Sequence, residues 1–284
     1  GKTALYWNTT GTYNTALGRG VMEQNTTGAS NTAVGRIALI ANTTGNSHTA
    51  LGADALSSNT TGAQNTAVGQ GALLASTTGN YNVAIGQAAS GSNTTGASNV
   101  SVGQAAMYYN TTGINNTASG RNALFANTTA SYSSAFGFAA LLGNTTGAAN
   151  TAVGDSAGYT TTTGYKNNFL GASSRGQSAT AFAQNVIGYN VQSVSSNYTT
   201  IGINGSISWL NVGGTSWSGS SDSRLKDNIT SSTAGLSFIN DLRPVTYEWK
   251  AKGDVPVELD NYEEGSTERV NGTDKVQHGF VAQE

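Results

Sequence analysis

The first 171 residues are ten passes through one 17-residue phrase, with no insertion or deletion between them. The pass that begins at Asn25 reads NTTGASNTAVGRIALIA. Its marker glycine recurs at Gly18, Gly35, Gly52, Gly69, Gly86, Gly103, Gly120, Gly137, Gly154 and Gly171. So strict a period is the mark of stacked coils, each repeat one layer on the next, and no compact enzyme core demands it. The chain is therefore expected to be an elongated structural object whose function lies in reach, valency and assembly.

The other columns of the phrase keep the same phase. Asn-Thr-Thr-Gly begins at Asn8, Asn25, Asn42, Asn59, Asn93, Asn110 and Asn144; Ser76 and Thr161 replace the asparagine, and after Asn127 the glycine becomes Ala130. A second asparagine column follows each turn, interrupted only by His48 and Ser133. A large apolar residue precedes each marker glycine, as at Leu17, Val34, Ile85 and Phe136, with Ser119 the exception. The NTAVG run is short, partly β-branched and bounded by turn residues, so it predicts a strand. Segments such as Ala38-Leu39 and Ala55-Leu56 predict a second strand on the far side of each coil, since they are too short and too glycine-punctuated for helices.

The fold class that follows is all-β: a parallel β-solenoid or β-roll of ten 17-residue coils, with two short strands and two turns per coil. Coils about 4.8 Å apart would give a stack of roughly 48 Å. Like residues then lie above one another, so the asparagines can form amide ladders and the Leu/Val column is expected to fill a narrow interior. The alanine column is small enough for another backbone to approach, which predicts several chains packed along their length.

The NTAVG-type repeats resemble the left-handed β-roll heads of trimeric autotransporter adhesins, whose repeats are usually shorter than 17, and repeat stretches in bacteriophage tail fibres and bacterial surface fibres. The resemblance covers residues 1–171 and implies a parallel homotrimer, so the expected partners are two further copies of the chain.

Composition limits the rest. There is no cysteine, so disulfides play no part. No basic, apolar leader and no run able to span a bilayer is present. The repeat is already under way in the first residues, which predicts an excerpt of a longer protein. A net charge of −2 gives no reason to expect nucleic acid or an anionic membrane as partner. Residues 1–220 hold only nine of the 28 charged side chains, and both prolines, Pro244 and Pro256, fall after them. The expected organisation is therefore repeats over 1–171, an intertwined β neck over 172–220 with Trp209 and Trp217 as apolar plugs, and a separate unit over 221–284.

In that last segment Leu236, Ile239 and Leu242 predict a short helix ending before Pro244. Val245, Tyr247 and Trp249 alternate as a strand, residues 253–274 read as a solvated acidic loop, and Phe280-Val281 starts another buried element: a small α+β unit. Its motifs are Ser221-Asp222-x-Arg224-Leu225-Lys226, Leu-Arg-Pro-Val-x-Tyr at 242–247, and His278-Gly279-Phe280-Val281-Ala282-Gln283-Glu284. In order and spacing these resemble the intramolecular chaperone and auto-processing domain at the C-terminus of phage tailspikes and tail fibres, endosialidases among them. The family's helical remainder would follow Glu284. The resemblance implies a serine–lysine dyad, with Ser221 as nucleophile, Lys226 as its base and the scissile bond between Ser220 and Ser221; His278 could orient the bond or be structural. A hydroxyl attacks only once a base takes its proton, and a lysine is that base only when its pKa is lowered, to which Arg224 would contribute and which Asp222 and Asp227 would oppose.

A chaperone answers a problem posed by the repeats, since near-identical layers pair out of register at small cost. The leading expectation is a phage tail fibre or tailspike segment that attaches to a host-surface glycan or protein; the alternative is a bacterial surface adhesin or filament of the same parts. Catalysis on an external substrate is not expected, because glycosidases need paired carboxylates and residues 1–220 offer only Glu23, Asp54 and Asp155. Adjacent threonines do not make the flat rank of an ice-binding face, and calcium-binding rolls need aspartates in the turns. No cofactor and no metal site is expected. The Asn-Thr-Thr turns are also formal glycosylation sequons, although tight corners favour the same residues.

Overall fold

A computed structural model describes residues 1–211, 214, 218–219, 245–247, 250–256, 262–268 and 277–279. Two compact units divide at Ser220/Ser221.

The first unit is a parallel β-solenoid. Strands of three residues, β1 (Thr15–Leu17) through β11 (Asn185–Ile187), recur once per coil, and each pairs in parallel with the strand 17 residues on, as Thr32↔Thr49, Ala33↔Ala50 and Val34↔Leu51. There are eleven coils, one more than the ten marker glycines predict, because the strand Asn185–Ile187 keeps the phase into the stretch assigned to the neck. The stack then shortens its step. β12 (Tyr198–Ile203) joins β11 at Asn185↔Thr199 and folds back on β13 (Ser206–Asn211), which pairs with β14 (Ser218–Gly219). Asn204 and Gly205 turn the hairpin, both at positive φ (48° and 85°), as a two-residue type I′ loop requires. Trp209 is half-buried in β13; Trp217 lies outside the described residues.

Each coil carries one strand, not two. Around Ala38-Leu39 the backbone alternates into the left-handed region, at Ile37 (φ 48°) and Leu39 (φ 54°). It still bonds to its neighbours: the Ile37 N–H donates back to the Arg19 carbonyl at 2.9 Å and the Leu39 N–H donates forward to Ala55 at 2.9 Å. The left-handed residues bend the chain around a narrow coil while keeping its N–H groups satisfied, which an extended strand could not do in so few residues.

The interior also corrects the expectation for the Leu/Val column. Ala33, Ala50 and Ala67 point inward and are fully buried, facing Leu39, Leu56 and Leu73 from the far side of the coil. Leu17, Leu51, Ile85, Val102 and Phe136 point outward. Pleating alternates side chains, so Asn31 and Ala33 share one face and Thr32 and Val34 the other. With the asparagines inside, the alanines follow and the large residues must face out.

The amide ladders form as expected. Asn25 Nδ2 donates to Asn8 Oδ1 at 2.7 Å and to the Gly28 carbonyl at 2.9 Å; Asn42 repeats the pattern onto Asn25 at 2.7 Å. In the second column, Asn31 Oδ1 accepts the His48 N–H at 2.9 Å, and Asn31 Nδ2 donates to the Gly45 carbonyl at 3.0 Å. The marker glycine is required by two constraints at once: Gly69 sits at φ +130°, and a Cβ there would lie 2.6 Å from the Gly86 carbonyl oxygen.

In the second unit, β15 (Val245–Tyr247) pairs antiparallel with β16 (Gln277–Gly279). A 3-10 turn spans Lys252–Asp254, where the acidic stretch begins. The expected helix around Leu236–Leu242, Trp249 and Phe280-Val281 lie outside the described residues.

Candidate functional site

The strand pair of the second unit brings together two sequence motifs some thirty residues apart. Thr246 stands opposite His278, with Val245 opposite Gly279 and Tyr247 opposite Gln277. His278 is described by this strand position alone, and Ser221 and Lys226 lie outside the described residues. One other lysine of the unit can be set aside as a general base. Lys252 Nζ donates to Glu268 at 2.7 Å and to Glu263 at 3.3 Å, and these hydrogen bonds, Glu268 first, hold its pKa above the ordinary lysine value. Raised, it stays a cation at neutral pH and cannot take a proton from a serine.

On the solenoid the sequon asparagines face inward. From Asn25 to Asn144 they are buried, with amide nitrogens committed to the coil's own carbonyls, so a sugar on that nitrogen is incompatible with the fold. The two threonines of each turn differ. The Thr26 hydroxyl donates to the Thr43 carbonyl at 2.9 Å and is half-buried, whereas Thr27 is exposed.

Two outward features remain. The first is the column on the outer strand face, where Leu17 is 64% exposed and Leu170 51%. Together with Thr32, Thr49, Val83 and Val100 it makes a long sheet face with an apolar stripe that is broken at Ser119. A monomer rarely leaves such a stripe in water.

The second lies on the part of each coil that follows the marker glycine. Gln70, Gln87 and Gln104 stack as an exposed amide ladder, Gln104 Nε2 donating to Gln87 Oε1 at 3.1 Å and Gln87 Nε2 to Gln70 Oε1 at 3.4 Å. Beside it runs a groove of about 270 Å³, floored by Gly71 and Ala88, with Leu74 and Tyr108 at its ends. Tyr108 lies over Gly91 and stacks on Phe125, with ring centroids 5.8 Å apart and planes at 17°; Tyr109 packs edge-on at 4.8 Å. Neither ladder nor groove belongs to the consensus phrase, because both use its variable positions. The one signal in the sequence is glutamine at three successive 17-residue steps. A further hollow of about 350 Å³ near the first coil is lined by Lys2, Arg19, Glu23 and Arg36. Its charges are partly matched: Arg36 pairs with Asp54 at 2.8 Å, and Glu23 accepts from Thr3 at 2.9 Å.

Among the described residues no group of three or more His, Asp or Glu side chains is placed to hold a metal, and no helix is long and apolar enough to cross a membrane.

Comparison with known proteins adds one finding. Residues 221–284 match the family model described as chaperone of endosialidase, which supports a chaperone domain in the second unit. No curated protein and no solved structure matches the chain.

Proposed function

We propose that the protein is a trimeric fibre segment of the phage tail-fibre or tailspike type, exposed on a virion tail and carrying a host-attachment surface. The observation that carries this is the outward apolar stripe on the solenoid's strand face, from Leu17 to Ile187, which three parallel copies would cover along their length. The family match supports an assembly device in residues 221–284. Layers this alike can pair one coil out of register at little cost, and non-local strand pairing is slow enough to make such errors persist. A C-terminal unit that aligns three chains before they zipper removes the problem.

In this scheme the unit then releases itself. Lys226 takes the proton from Ser221 Oγ, the oxygen attacks the Ser220 carbonyl, the Ser221 nitrogen leaves as an amine, and water hydrolyses the resulting ester. Loss of the aligning unit makes assembly hard to reverse, so the fibre gains kinetic stability.

Sedimentation of the full chain tests the assembly: three chains per particle are expected, and Ile85→Glu with Val102→Glu should leave single chains. A monomeric parent would overturn the proposal. For the processing step, N-terminal sequencing should find a fragment beginning at Ser221. Cleavage that persists at the same bond in Lys226→Ala would remove the dyad while leaving the trimer standing.

A further inference from the structure

We propose that the groove between Leu74 and Tyr108 is a saccharide site that takes one pyranose ring. It deepens the attachment function proposed above and rests on it.

The groove lies where a column of large side chains thins to a glycine. At the same position in successive coils stand Leu74, Gly91, Tyr108, Phe125, Leu142 and Tyr159. Gly91 carries no side chain, and the Tyr108 ring leans over it, so that a Cβ on Gly91 would lie 2.9 Å from that ring; the groove runs between Leu74 and the leaning tyrosine. The floor is small: a Cβ on Gly71 would meet nothing within 4 Å. The aromatic wall is fixed in advance, since Phe125 and Tyr109 hold the Tyr108 ring from behind and from its edge. A preordered ring loses little side-chain freedom when a ligand packs on it.

The polar side selects the chemistry. In the glutamine ladder Gln87 spends one N–H and one lone pair on its neighbours and Gln70 spends one lone pair, which leaves these two groove-lining amides with further donors and acceptors. Asp54, which also lines the groove, binds Arg36 through Oδ2 and keeps Oδ1 available as an acceptor. A hydroxyl is both donor and acceptor, and adjacent hydroxyls on a ring need this mixture of neutral amides with one carboxylate. A pyranose also has an apolar C–H face to lay on an aromatic ring. Other ligands fit less well. An anion would meet uncharged amides and a carboxylate. A peptide strand would find no edge, because the groove's backbone N–H groups are already spent on the neighbouring coil, Gly71 on Ala53 and Ala88 on Gln70, each at 2.9 Å. The volume of about 270 Å³ falls below the ~300–1,000 Å³ usual for larger ligands and suits a single ring. The groove is not on the strand face, so three parallel copies would display three of them, and weak single contacts would sum by avidity.

Saturation-transfer NMR on the full chain, with the methyl pyranosides of glucose, galactose, N-acetylglucosamine and rhamnose as probes, tests the site. At least one sugar should receive saturation on its ring protons. Tyr108→Ala should weaken that binding about tenfold, and Ala88→Arg, which fills the groove from its floor while leaving both walls in place, should abolish it. Tyr159→Ala, in the same column but outside the groove, should bind like the parent and control for the loss of an aromatic ring. Transfer to none of the four sugars, or undiminished transfer in Ala88→Arg, would overturn the site. The two proposals separate in an adhesion assay on bacterial cells. A trimeric Ala88→Arg fibre that adheres as well as the parent sinks the groove and keeps the attachment function, whereas a parent that neither trimerises nor adheres sinks the attachment function itself.

Discussion

The two sides of each coil's interior are built from different materials and fail in different ways. At the Asn-Thr-Thr-Gly corner the filling is a ladder of amides; opposite, it is alanine against leucine. The ladder stops wherever its side chain is too short. Ser76 stands in an asparagine's place, and both its hydroxyl and the Oδ1 of Asn59, one coil before, are buried without a partner; the Thr161 hydroxyl is likewise unpartnered. The apolar side absorbs comparable insults. Where leucine gives way to Ser90, the facing alanine has become Ser101, and the two hydroxyls bond at 2.9 Å. Where it gives way to Gly158, the facing alanine has become Phe169, whose ring fills the space a Cβ would take. Packing conserves volume, so two departures can correct each other across the coil. A hydrogen bond has a fixed reach, and a neighbour cannot lengthen it.

The largest expected effect breaks the compensation. Phe169→Ala should destabilise the solenoid by roughly 3–5 kcal/mol by opening a cavity, and Gly158→Leu alone should also destabilise it by crowding Phe169. Together they restore the common leucine–alanine pair, so urea midpoints of the double variant should lie well above the sum of the single losses; simple additivity would refute the pairing. Next comes the ladder. Asn110→Leu removes two donated bonds and strands Asn93 Oδ1, at a cost of roughly 2–3 kcal/mol, with no second-site partner able to recover it. Ser76→Asn works in the other direction. It should supply the donor that Asn59 lacks and raise stability by about 1 kcal/mol; a lowered urea midpoint would show that the corner is not limited by its missing amide.

The smallest effect is a pH slope. His48 replaces an asparagine in the second ladder: its Nδ1 accepts the Asn65 N–H at 3.2 Å, so the proton sits on Nε2, which donates to the Gly62 carbonyl at 2.7 Å. Asn59 Nδ2 lies 3.1 Å from the same Nε2, a donor facing a donor. Burial, against the two backbone hydrogen bonds, lowers the His48 pKa from 6.5. The unfolded chain therefore binds the proton first. Stability is complete above pH 6.5, falls as the pH drops below it, and levels off beneath the lowered folded value. His48→Asn should flatten that part of the curve relative to the parent; parallel curves would mean the imidazole is not held neutral.

Much of this was legible in the residues. Strict spacing gave the stacked coils, the asparagine columns gave the ladders, and the alternation at Val245 and Tyr247 gave a strand. The hairpin after the last coil could have been read as well, since Asn204-Gly205 between two apolar runs is a strong hairpin signal. The groove was out of reach. It depends on Tyr108 leaning over Gly91, and neighbours in a column are 17 residues apart in the chain, at positions where the phrase is free to vary.

The sequence by itself determined the period, the register of every coil on the next and the need for glycine before each turn, because a single insertion would shift all the layers above it. The tertiary structure decided which face of the short strands looks inward. A three-residue strand offers only two choices, and Thr-Ala-Val reads plausibly either way. The choice is made across the coil, where the alanine is buried with the leucine of the far side, and where the asparagine before the strand must reach its carbonyl.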